Sequence, residues 1–550
     1  MELQASKNLV EKVFNNSYSR NNFLDLISNL LKSYNKDQKE MIISDNKNQF
    51  NSFVYLGSYE ESNKELGIYE IEVDNLKTLL NARVAQRNII AVDLKNKGYD
   101  FGLASFYVKD ENQWRFSLIK FERSIDISSD KVKFLDIISP SKRQSFIAGN
   151  GEGTHTAKKQ LLAMLKLNES PSFDDIENIF QIEAVNDDFY EQYKDLYLRL
   201  TEYLEGFILK DEVIAKDFTE KEVSPSDFAK KTLGQFIFLY FIQKKGWIKY
   251  KDNSDDSFSF SKFFDKRKSY GDNFFNDLME PIFYESLAKK NPNVALYPIL
   301  KNIEFPYLNG GLFDPIRGYD WGKTNIIIPD TFFKNENKTK DGDIGDGLLD
   351  VFNRFNFTVH ENDSIEQDIA VDPEMLGKVF ENLLDITDRK SKGAFYTPRE
   401  IVRYMCQESL IAYLVREIGD QIPSEILEIF INNHAVLQVS NINNTKLSVI
   451  AENAIDLDQL LANVKVCDPA VGSGAFPMGM LSEIVGARSL LQPFLSNQQT
   501  VYNLKLHTIS QSMYGVDTEP SAVEIARLRF WLSLIIEENE PTPLPNLEHK

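Results

Sequence analysis

The chain has 550 residues, of which 42% are hydrophobic and 26% charged, so it is neither collagen-like nor wholly disordered. Its length predicts about three or four domains. The 62 Lys and Arg against 82 Asp and Glu give a net charge of −20, which argues against a protein that coats nucleic acid nonspecifically through a basic surface. A DNA enzyme with a local basic cleft stays open.

The numbers of cysteines and histidines and the hydropathy of the sequence exclude further classes of protein. Two cysteines exclude a disulfide framework, and with only five histidines the chain has no zinc-type ligand cluster, so we expect no metal site and a reduced, cytoplasmic protein. The polar N-terminus is not a signal peptide. The longest apolar run, Phe236–Ile242, is too short to span a bilayer and predicts a buried helix, so we expect no membrane partner.

Residues 1–165 are predicted to form an N-terminal α/β domain. Runs rich in aromatic and β-branched residues predict four strands, at Phe53–Leu56, Ile68–Val73, Gly102–Val108 and Arg115–Phe121. Helical periodicity extends over residues 75–97, where Arg83 and Arg87 share one face. The two arginines are candidates for contact with a DNA phosphate, although a solvated helix face is the favoured interpretation.

A nuclease of the PD-(D/E)xK kind would need acidic residues and a lysine on adjacent strands, to hold Mg²⁺ and activate water. The weak match, Asp93-Leu94-Lys95, falls within the predicted helix and is discounted. Glu70, Glu72 and Asp74 alternate along a strand without a lysine two positions on, and we interpret them as its solvated face. Mg²⁺ is therefore expected only if this domain cuts DNA.

Residues 166–390 are predicted to form a mainly helical connector. Amphipathic or apolar helices are expected over 187–209 and 225–247, the second with Ser224 or Ser226 as its cap. A further helix is expected over 374–384, opened by Asp372 and by Pro373 at its first position.

From residue 391 onward the sequence contains motifs that indicate a function. The first is a glycine-rich turn between a predicted strand and a predicted helix. Residues 464–476 read VKVCDPAVGSGAF. Glycine permits a tight turn and a close approach of ligand to backbone, and the start of the following helix offers free N–H donors. The carboxylate of Asp468 would lie at the carboxyl edge of a sheet, where open α/β folds bind ligands.

A second strand–acid–helix unit follows at residues 513–529, MYGVDTEPSAVEIARLR. An acidic residue in this position can accept hydrogen bonds from both ribose hydroxyls, which makes Asp517 a ribose candidate. Asp517 lies 49 residues beyond Asp468 (517 − 468), so we expect a polar insertion at Ser496–Asn503.

A third segment, KGAFYTP at residues 392–398, precedes a predicted helix from Arg399 to about Leu414. Thr397 is a candidate cap for this helix, with Pro398 at its first position. By composition alone, a well-capped helix is the simpler interpretation.

Taken in order, GAFYTP, DPAVGSGAF and GVDTEPSAVEIARLR resemble motifs X, I and II of the gamma-type amino-methyltransferases. Flanking strings such as LGKVFENLL, FPYLNGGLFDP and PLPNLEHK resemble Eco57I-like, type IIG restriction–modification enzymes, so that the resemblance extends from about residue 140. It implies a Rossmann-like, S-adenosylmethionine-dependent methyltransferase sheet over residues 391–550, preceded by the connector and the N-terminal α/β domain. It also implies adenine-N6 methylation of double-stranded DNA in a restriction–modification or phage-defence system.

Carried over residue by residue, the resemblance implies a set of cofactor-binding positions. Near the methionine end it places Tyr396 and Thr397. It implies that the cofactor loop is formed by Asp468, Ala470, Gly472 and Gly474. Phe476 is implied to close the pocket, and Asp517 to hold the ribose.

One feature departs from the family pattern. The catalytic string Asn-Pro-Pro-Tyr, which would hold the flipped adenine, does not occur in these 550 residues, so no catalytic residue is assigned. We expect a sheet incomplete at its C-terminal end, and a fragment whose catalytic motif and target recognition come from a missing C-terminal region or a partner chain. Two alternatives stay open: an S-adenosylmethionine-binding regulatory subunit acting with a partner, and a nuclease regulated by the methyltransferase-like region.

Overall fold

The computed structural model of the chain forms two compact units. The residues it describes are 3–43, 49–121, 142–166, 170–251, 258–293, 296–308, 311–340, 342–358, 366–375, 377, 379, 397–432, 445–538 and 540–547. The N-terminal unit comprises the described residues up to 192 together with 351–358 and 366–371, and the C-terminal unit comprises the described residues of 193–350 and 372–547. The division into domains at 1–165, 166–390 and 391–550 stays a prediction.

The N-terminal unit is built on a seven-stranded mixed sheet in the order β1-β2-β3-β4-β5-β6-β9. Strands β3 and β4 pair in parallel, as do β6 and β9, and the other neighbours are antiparallel. The strands are β1 (Asn35–Glu40), β2 (Phe50–Glu61), β3 (Lys64–Val73), β4 (Phe101–Tyr107), β5 (Gln113–Lys120), β6 (Lys142–Gly149) and β9 (Glu366–Asp368). The two short strands between β6 and β9 in the chain, β7 (Lys249–Tyr250) and β8 (Ile303–Glu304), form an antiparallel pair of their own in the C-terminal unit. The four predicted strands are thus confirmed as β2 to β5.

Helices cover the sheet and begin or end where the sequence supplies caps or breaks. They are α1 (Leu3–Phe14), α2 (Arg20–Leu30), α3 (Leu76–Asn81), α4 (Arg83–Lys97), α5 (His155–Leu165), α6 (Phe173–Ile179) and α7 (Ile182–Ile208), the last continuing into the C-terminal unit. The single helix predicted over 75–97 is broken at Ala82 into α3 and α4. The Gln86 amide compensates by donating to the carbonyls of Thr78 and Leu79, both at 2.9 Å.

The structure overturns the interpretation of Arg83 and Arg87 as a solvated face. Arg87 is 6% exposed, and Arg83 lies 3.6 Å from the Asp368 carboxylate. Both arginines are mostly withdrawn from solvent, so neither is presented for contact with a DNA phosphate. Both arginines lie on α4, as predicted, but the partner of Arg83 lies on a strand 285 residues further along the chain (368 − 83).

The acidic residues of β3 are also placed differently from the prediction. Glu70 is fully buried, where its carboxylate accepts a hydrogen bond from the Tyr18 hydroxyl at 2.7 Å and is paired with Arg20. Only Asp74 is exposed, while Glu72 is half-buried. Asp93 lies on α4, as expected, and accepts from the Tyr69 hydroxyl at 2.8 Å. No described residues form a group of three or more His, Cys, Asp or Glu that could hold a metal.

A buried cluster of charge fastens β9 to the sheet. Asp368 accepts from Arg115 Nη1 at 2.6 Å and from the Ser145 hydroxyl at 3.1 Å, and Arg143 Nη2 lies 3.6 Å away. Arg115 is 1% and Arg143 0% exposed. Burial lowers the pKa of Arg115 to about 10, although the nearby Asp368 acts in the opposite direction. Among the described residues, the Asp368 carboxylate is thus shared by Arg83, Arg115 and Arg143.

Two of the three helices predicted for the connector are confirmed: the one over 187–209 as part of α7, and the one over 225–247 as a helix at Pro225–Lys244. Helix α9 (Pro225–Lys244), after α8 (Glu212–Glu220), has Ser224 as its cap, whose hydroxyl accepts from Asp227 N–H at 3.0 Å, and Pro225 at its first position. Its apolar run is buried on all sides. No helix within the described ranges combines the length and apolarity needed to cross a bilayer. Asp372 Oδ1 accepts from Met375 N–H at 2.8 Å, as expected of a cap, while most of the helix predicted to follow lies outside the described residues.

Further along the connector, Glu280 lies between two π-helical segments, Phe274–Met279 and Ile282–Leu287. It is 1% exposed; Oε1 accepts from the Tyr319 hydroxyl at 2.6 Å, and Oε2 has no hydrogen-bond partner among the described residues. Burial raises the pKa of Glu280 well above its ordinary value, and the bond from Tyr319 only partly offsets this. The folded protein therefore favours the protonated acid.

We expect this carboxyl to make stability fall as pH rises. An unfolded Glu loses its proton near pH ~4.3, whereas the folded state retains it, so the stabilisation is complete below that pH and is lost as pH rises through the folded pKa. Urea unfolding at several pH values should give Glu280→Gln, a neutral isostere, a smaller decline with pH than the wild type. The exposed Glu425→Gln is the matched control and should follow the wild type. Equal slopes for Glu280→Gln and wild type would contradict the assignment.

Candidate functional site

The two strand–acid–helix segments fold side by side in the C-terminal unit. Strand β10 (Val466–Asp468) pairs in parallel with β11 (Met513–Gly515), with Asp468 opposite Gly515. Two further backbone bonds extend the pairing into the loops, from Val516 N–H to the Asp468 carbonyl and from Val471 N–H to the Val516 carbonyl, both at 3.0 Å. The carboxyl ends of both strands therefore meet at one edge, as their sequence pattern predicts.

The loop after β10 owes its shape to two glycines. Gly472 and Gly474 have φ of +51° and +86°, a region that side-chain-bearing residues rarely adopt. Gly474 is also the N-cap of the following helix, Ala475–Leu491, and a Cβ on it would lie 3.0 Å from the Cβ of Ala526. The second glycine therefore allows both the turn and the close packing of the loop against the helix that follows β11.

Asp517 holds this loop to β11. Its carboxylate accepts backbone hydrogen bonds from Gly472 at 2.8 Å and from Glu519 at 2.9 Å. The latter bond lies at the start of the helix Pro520–Ile535. From that helix, the buried Arg529 donates to the Ser473 carbonyl at 3.0 Å. Two side chains from β11 and its following helix, Asp517 and Arg529, therefore hold the glycine loop in place.

Asp468 is the second acid of the site. Its Oδ1 accepts from Ala470 N–H at 3.0 Å, while its Oδ2 is buried and has no hydrogen-bond partner among the described residues. A buried acceptor of this kind is costly unless a ligand or water satisfies it. Its chemistry suits a ligand that carries an N–H, O–H or ammonium donor.

A cavity of about 220 Å³ opens beside β11. Most of its lining is apolar, and of the predicted site residues Asp517 alone lines it. Its walls include Val471, Met513, Tyr514, Val516, Val523 and Phe530. The site thus combines an apolar space with a carboxylate at its wall.

The segment that carries Tyr396 and Thr397 is described only in part. Tyr396 lies outside the described residues; Thr397 is half-buried and precedes the helix Arg399–Ile418. The capping prediction is wrong: Pro398 is the N-cap, it makes no side-chain cap bond, and Arg399 is the first helical residue. Pro398 still serves through its carbonyl, which accepts from Val402 N–H at 3.1 Å. Phe476 touches this helix through its carbonyl, 3.7 Å from Cys406 Sγ, and its ring is not part of the cavity lining.

The long separation between the two acids is also explained differently from the prediction. The expected polar insertion contains Thr500, whose hydroxyl caps a helix at Val501–Gln511 by accepting from Asn503 N–H at 3.2 Å. The sequence pattern did not indicate this helix. It also did not indicate the buried hydrogen bond between two helices in which Gln407 Nε2 donates to Glu483 Oε2 at 3.0 Å. A glutamate within the apolar run MGMLSEIVGA was the available signal.

The two cysteines of the site should differ sharply in reactivity. Cys467, on β10, is exposed, whereas Cys406 is buried and its pKa is raised to about 12 by burial, with a further contribution from Glu483. Because the thiolate is the reactive form, we expect a disulfide reagent such as Ellman's to modify a single thiol rapidly. Cys467→Ser should abolish the fast phase and Cys406→Ser should leave it intact. Two fast thiols in the wild type would contradict this arrangement.

The chain was compared with protein-family models, with curated proteins and with solved structures. No protein-family model matches the chain. A protein of Methanocaldococcus jannaschii named "Putative type II restriction enzyme and methyltransferase" is 30% identical over 352 residues, which cover 60% of this chain and 27% of that protein. The chain thus spans about a quarter of the length of this relative.

A solved structure of the type IIL restriction–modification enzyme MmeI in complex with DNA also aligns with the chain. The TM-score is 0.36 at 16% identity, over 67% of this chain and 39% of that one. We infer nothing about function from a likeness at this level. The sequence relative shows that the chain is similar to proteins of restriction–modification systems.

Proposed function

We propose that the C-terminal unit binds S-adenosylmethionine, and that the chain is part of a DNA adenine-N6 methyltransferase of a restriction–modification system. The observation that carries the proposal is the loop from Asp468 to Gly474, held by Asp517. Parallel strands bring two carboxylates to one edge, and the glycines let the loop turn there, where Asp517 accepts from Gly472 N–H. The name of the Methanocaldococcus relative, a restriction enzyme and methyltransferase, supports the same class.

The chemistry of the donor set suits this cofactor. The apolar cavity beside β11 can take a planar base, and the Asp517 carboxylate at its wall retains lone pairs for ribose hydroxyls besides those used by Gly472 and Glu519. The unsatisfied Oδ2 of Asp468 would accept from a donor of the cofactor. When bound, the cofactor would supply an electrophilic methyl group; these residues would bind and orient it.

Asp517→Ala is expected to weaken S-adenosylmethionine binding by about 1–3 kcal/mol, the usual cost of losing hydrogen bonds to a charged acceptor. The loss has two sources, because the variant removes both the ribose acceptor and the bonds that hold the loop. Calorimetric titration of the whole chain measures it. Asp517→Asn separates the two sources in part: its one amide oxygen can still accept from Gly472 N–H, whereas its amide nitrogen cannot accept from Glu519 N–H or from a ribose hydroxyl.

Asp456→Ala, on a surface position of the helix Ala454–Asn463, is the control and should bind as the wild type does. Unchanged affinity in Asp517→Ala would exclude the ribose assignment. The regulatory-subunit alternative predicts a different result. It would be favoured if the wild type binds S-adenosylmethionine tightly while a version extended to the length of the relative transfers no methyl group to DNA. A nuclease role of the N-terminal unit, with its Mg²⁺, stays a prediction, to be tested by incubating the protein with plasmid and Mg²⁺.

A further inference from the structure

Two helices of the candidate site pack against each other without intervening space. We label them α13 (Arg399–Ile418), which follows Thr397, and α17 (Ala475–Leu491), which follows the glycine loop. A Cβ on Gly479 of α17 would lie 2.6 Å from Cγ1 of Val402 on α13. The glycine therefore fixes how closely the helices approach.

A buried carboxylate lies in the same contact. Glu483 of α17 is 4% exposed; its Oε2 accepts from Gln407 Nε2 at 3.0 Å, and its Oε1 lies 3.5 Å from Arg403 Nε. Both partners are on α13, one turn apart. Burying a carboxylate is costly even when it is paired, and an apolar residue of similar volume often stabilises a core at least as well. Stability is thus a weak explanation for a glutamate here, whereas a hydrogen bond to Gln407 and an ion pair with Arg403 hold α13 in place.

Each of these helices carries a segment of the candidate site at its start. Helix α13 begins directly after Thr397 and Pro398, and α17 begins at Gly474, in contact with the helix that follows Asp517. A change in how α13 lies on α17 would therefore move the Thr397 segment relative to the glycine loop. Glu483 itself is more than two helical turns from Gly474, so its effect on a ligand would be indirect.

We propose that Glu483 is a positioning residue for the cofactor site, which sets α13 against α17 through Gln407 and Arg403. The proposal rests on the proposed function, in that the ligand is S-adenosylmethionine. A purely structural role would change the stability of the unit, while a positioning role changes the affinity of protein that is fully folded.

The test is calorimetric titration of S-adenosylmethionine into the full chain, at a temperature where circular dichroism shows each variant to be folded. Glu483→Leu is expected to weaken affinity about tenfold, within the usual range of coupling between separate positions. Glu417→Gln, on the surface of the same α13 and paired with the adjacent Arg416, is the matched control and should not change affinity. If Glu483→Leu does not fold, Glu483→Gln takes its place, with a smaller loss expected in the same direction.

The double variant Gln407→Glu with Glu483→Gln supplies the discriminating arm. It restores an amide–carboxylate pair with donor and acceptor exchanged, and it keeps a carboxylate near Arg403, one helical turn away. Affinity should return to within about twofold of the wild type, well below the coupling expected for the single variant. Wild-type affinity in the folded Glu483 variant, or no recovery in the double variant, would overturn the proposal. Absence of binding by the wild type itself would instead show that the proposed function is wrong.

Discussion

Asp368→Ala is expected to destabilise the N-terminal unit by about 3–5 kcal/mol, the usual result of removing one partner from a buried ion pair. The variant would leave Arg115 and Arg143, both almost fully buried, without the carboxylate they share. It would also detach β9 from β6, whose pairing spans only three residues. Urea unfolding followed by circular dichroism measures the change.

An exposed acid of the same sheet provides the control. Asp37 pairs with Lys39 on β1, with 44% of its side chain exposed. Exposed pairs of this kind contribute about 0–1 kcal/mol, so Asp37→Ala should change the unfolding midpoint little. Asp368→Asn retains an acceptor for Arg115 without the charge and should lie between the two. A loss below about 1 kcal/mol in Asp368→Ala would show that the arginines are compensated by other groups.

The sequence predicts β2 to β5 because their local composition is typical of strands, but it does not predict β1 or β6. It does not predict β9, three residues long, because that strand exists only through pairing with β6 and through contact of Asp368 with Arg115. The same limit explains the wrong assignment of Glu70. Its alternation with Glu72 is typical of a solvated face, and the residues that bury it, Tyr18 and Arg20, lie 50 or more positions away.

The strands, turn and helices around the candidate site follow from the local sequence more fully than the rest of the fold does. Each part of the site is local: a strand, an acid, glycines and a helix start, all within about a dozen residues. What the pattern did not provide are the bonds between its parts. The pattern predicts that Asp517 faces a ligand, but not that it accepts a hydrogen bond from Gly472. In the sequence, Arg529 and Glu483 are ordinary residues of predicted helices, and their partners are known only from the packing of those helices.

Gly474→Val is expected to abolish measurable S-adenosylmethionine binding and to destabilise the C-terminal unit. A β-branched residue at φ +86° is strained by about 1–3 kcal/mol, whatever space surrounds it. At this position the added side chain would also meet Ala526, whose Cβ lies 3.0 Å from the position of a new Cβ. Relief of that clash requires the loop to move away from the helix Pro520–Ile535, which would break the bonds from Asp517 and Arg529 that shape it.

Gly246→Val separates strain from crowding, because Gly246 lies in the same unit with φ +74° and has no heavy atom within 4 Å of a new Cβ. Both variants share the cost of a left-handed backbone, so their difference in unfolding free energy reports the contact with Ala526. Gly246→Val should bind S-adenosylmethionine as the wild type does, since it lies outside the loop. Equal affinity in the two variants would mean that the ligand does not use the backbone of the Asp468–Gly474 loop. The two carboxylates and the apolar cavity beside β11, rather than the backbone of the loop, would then have to account for the binding.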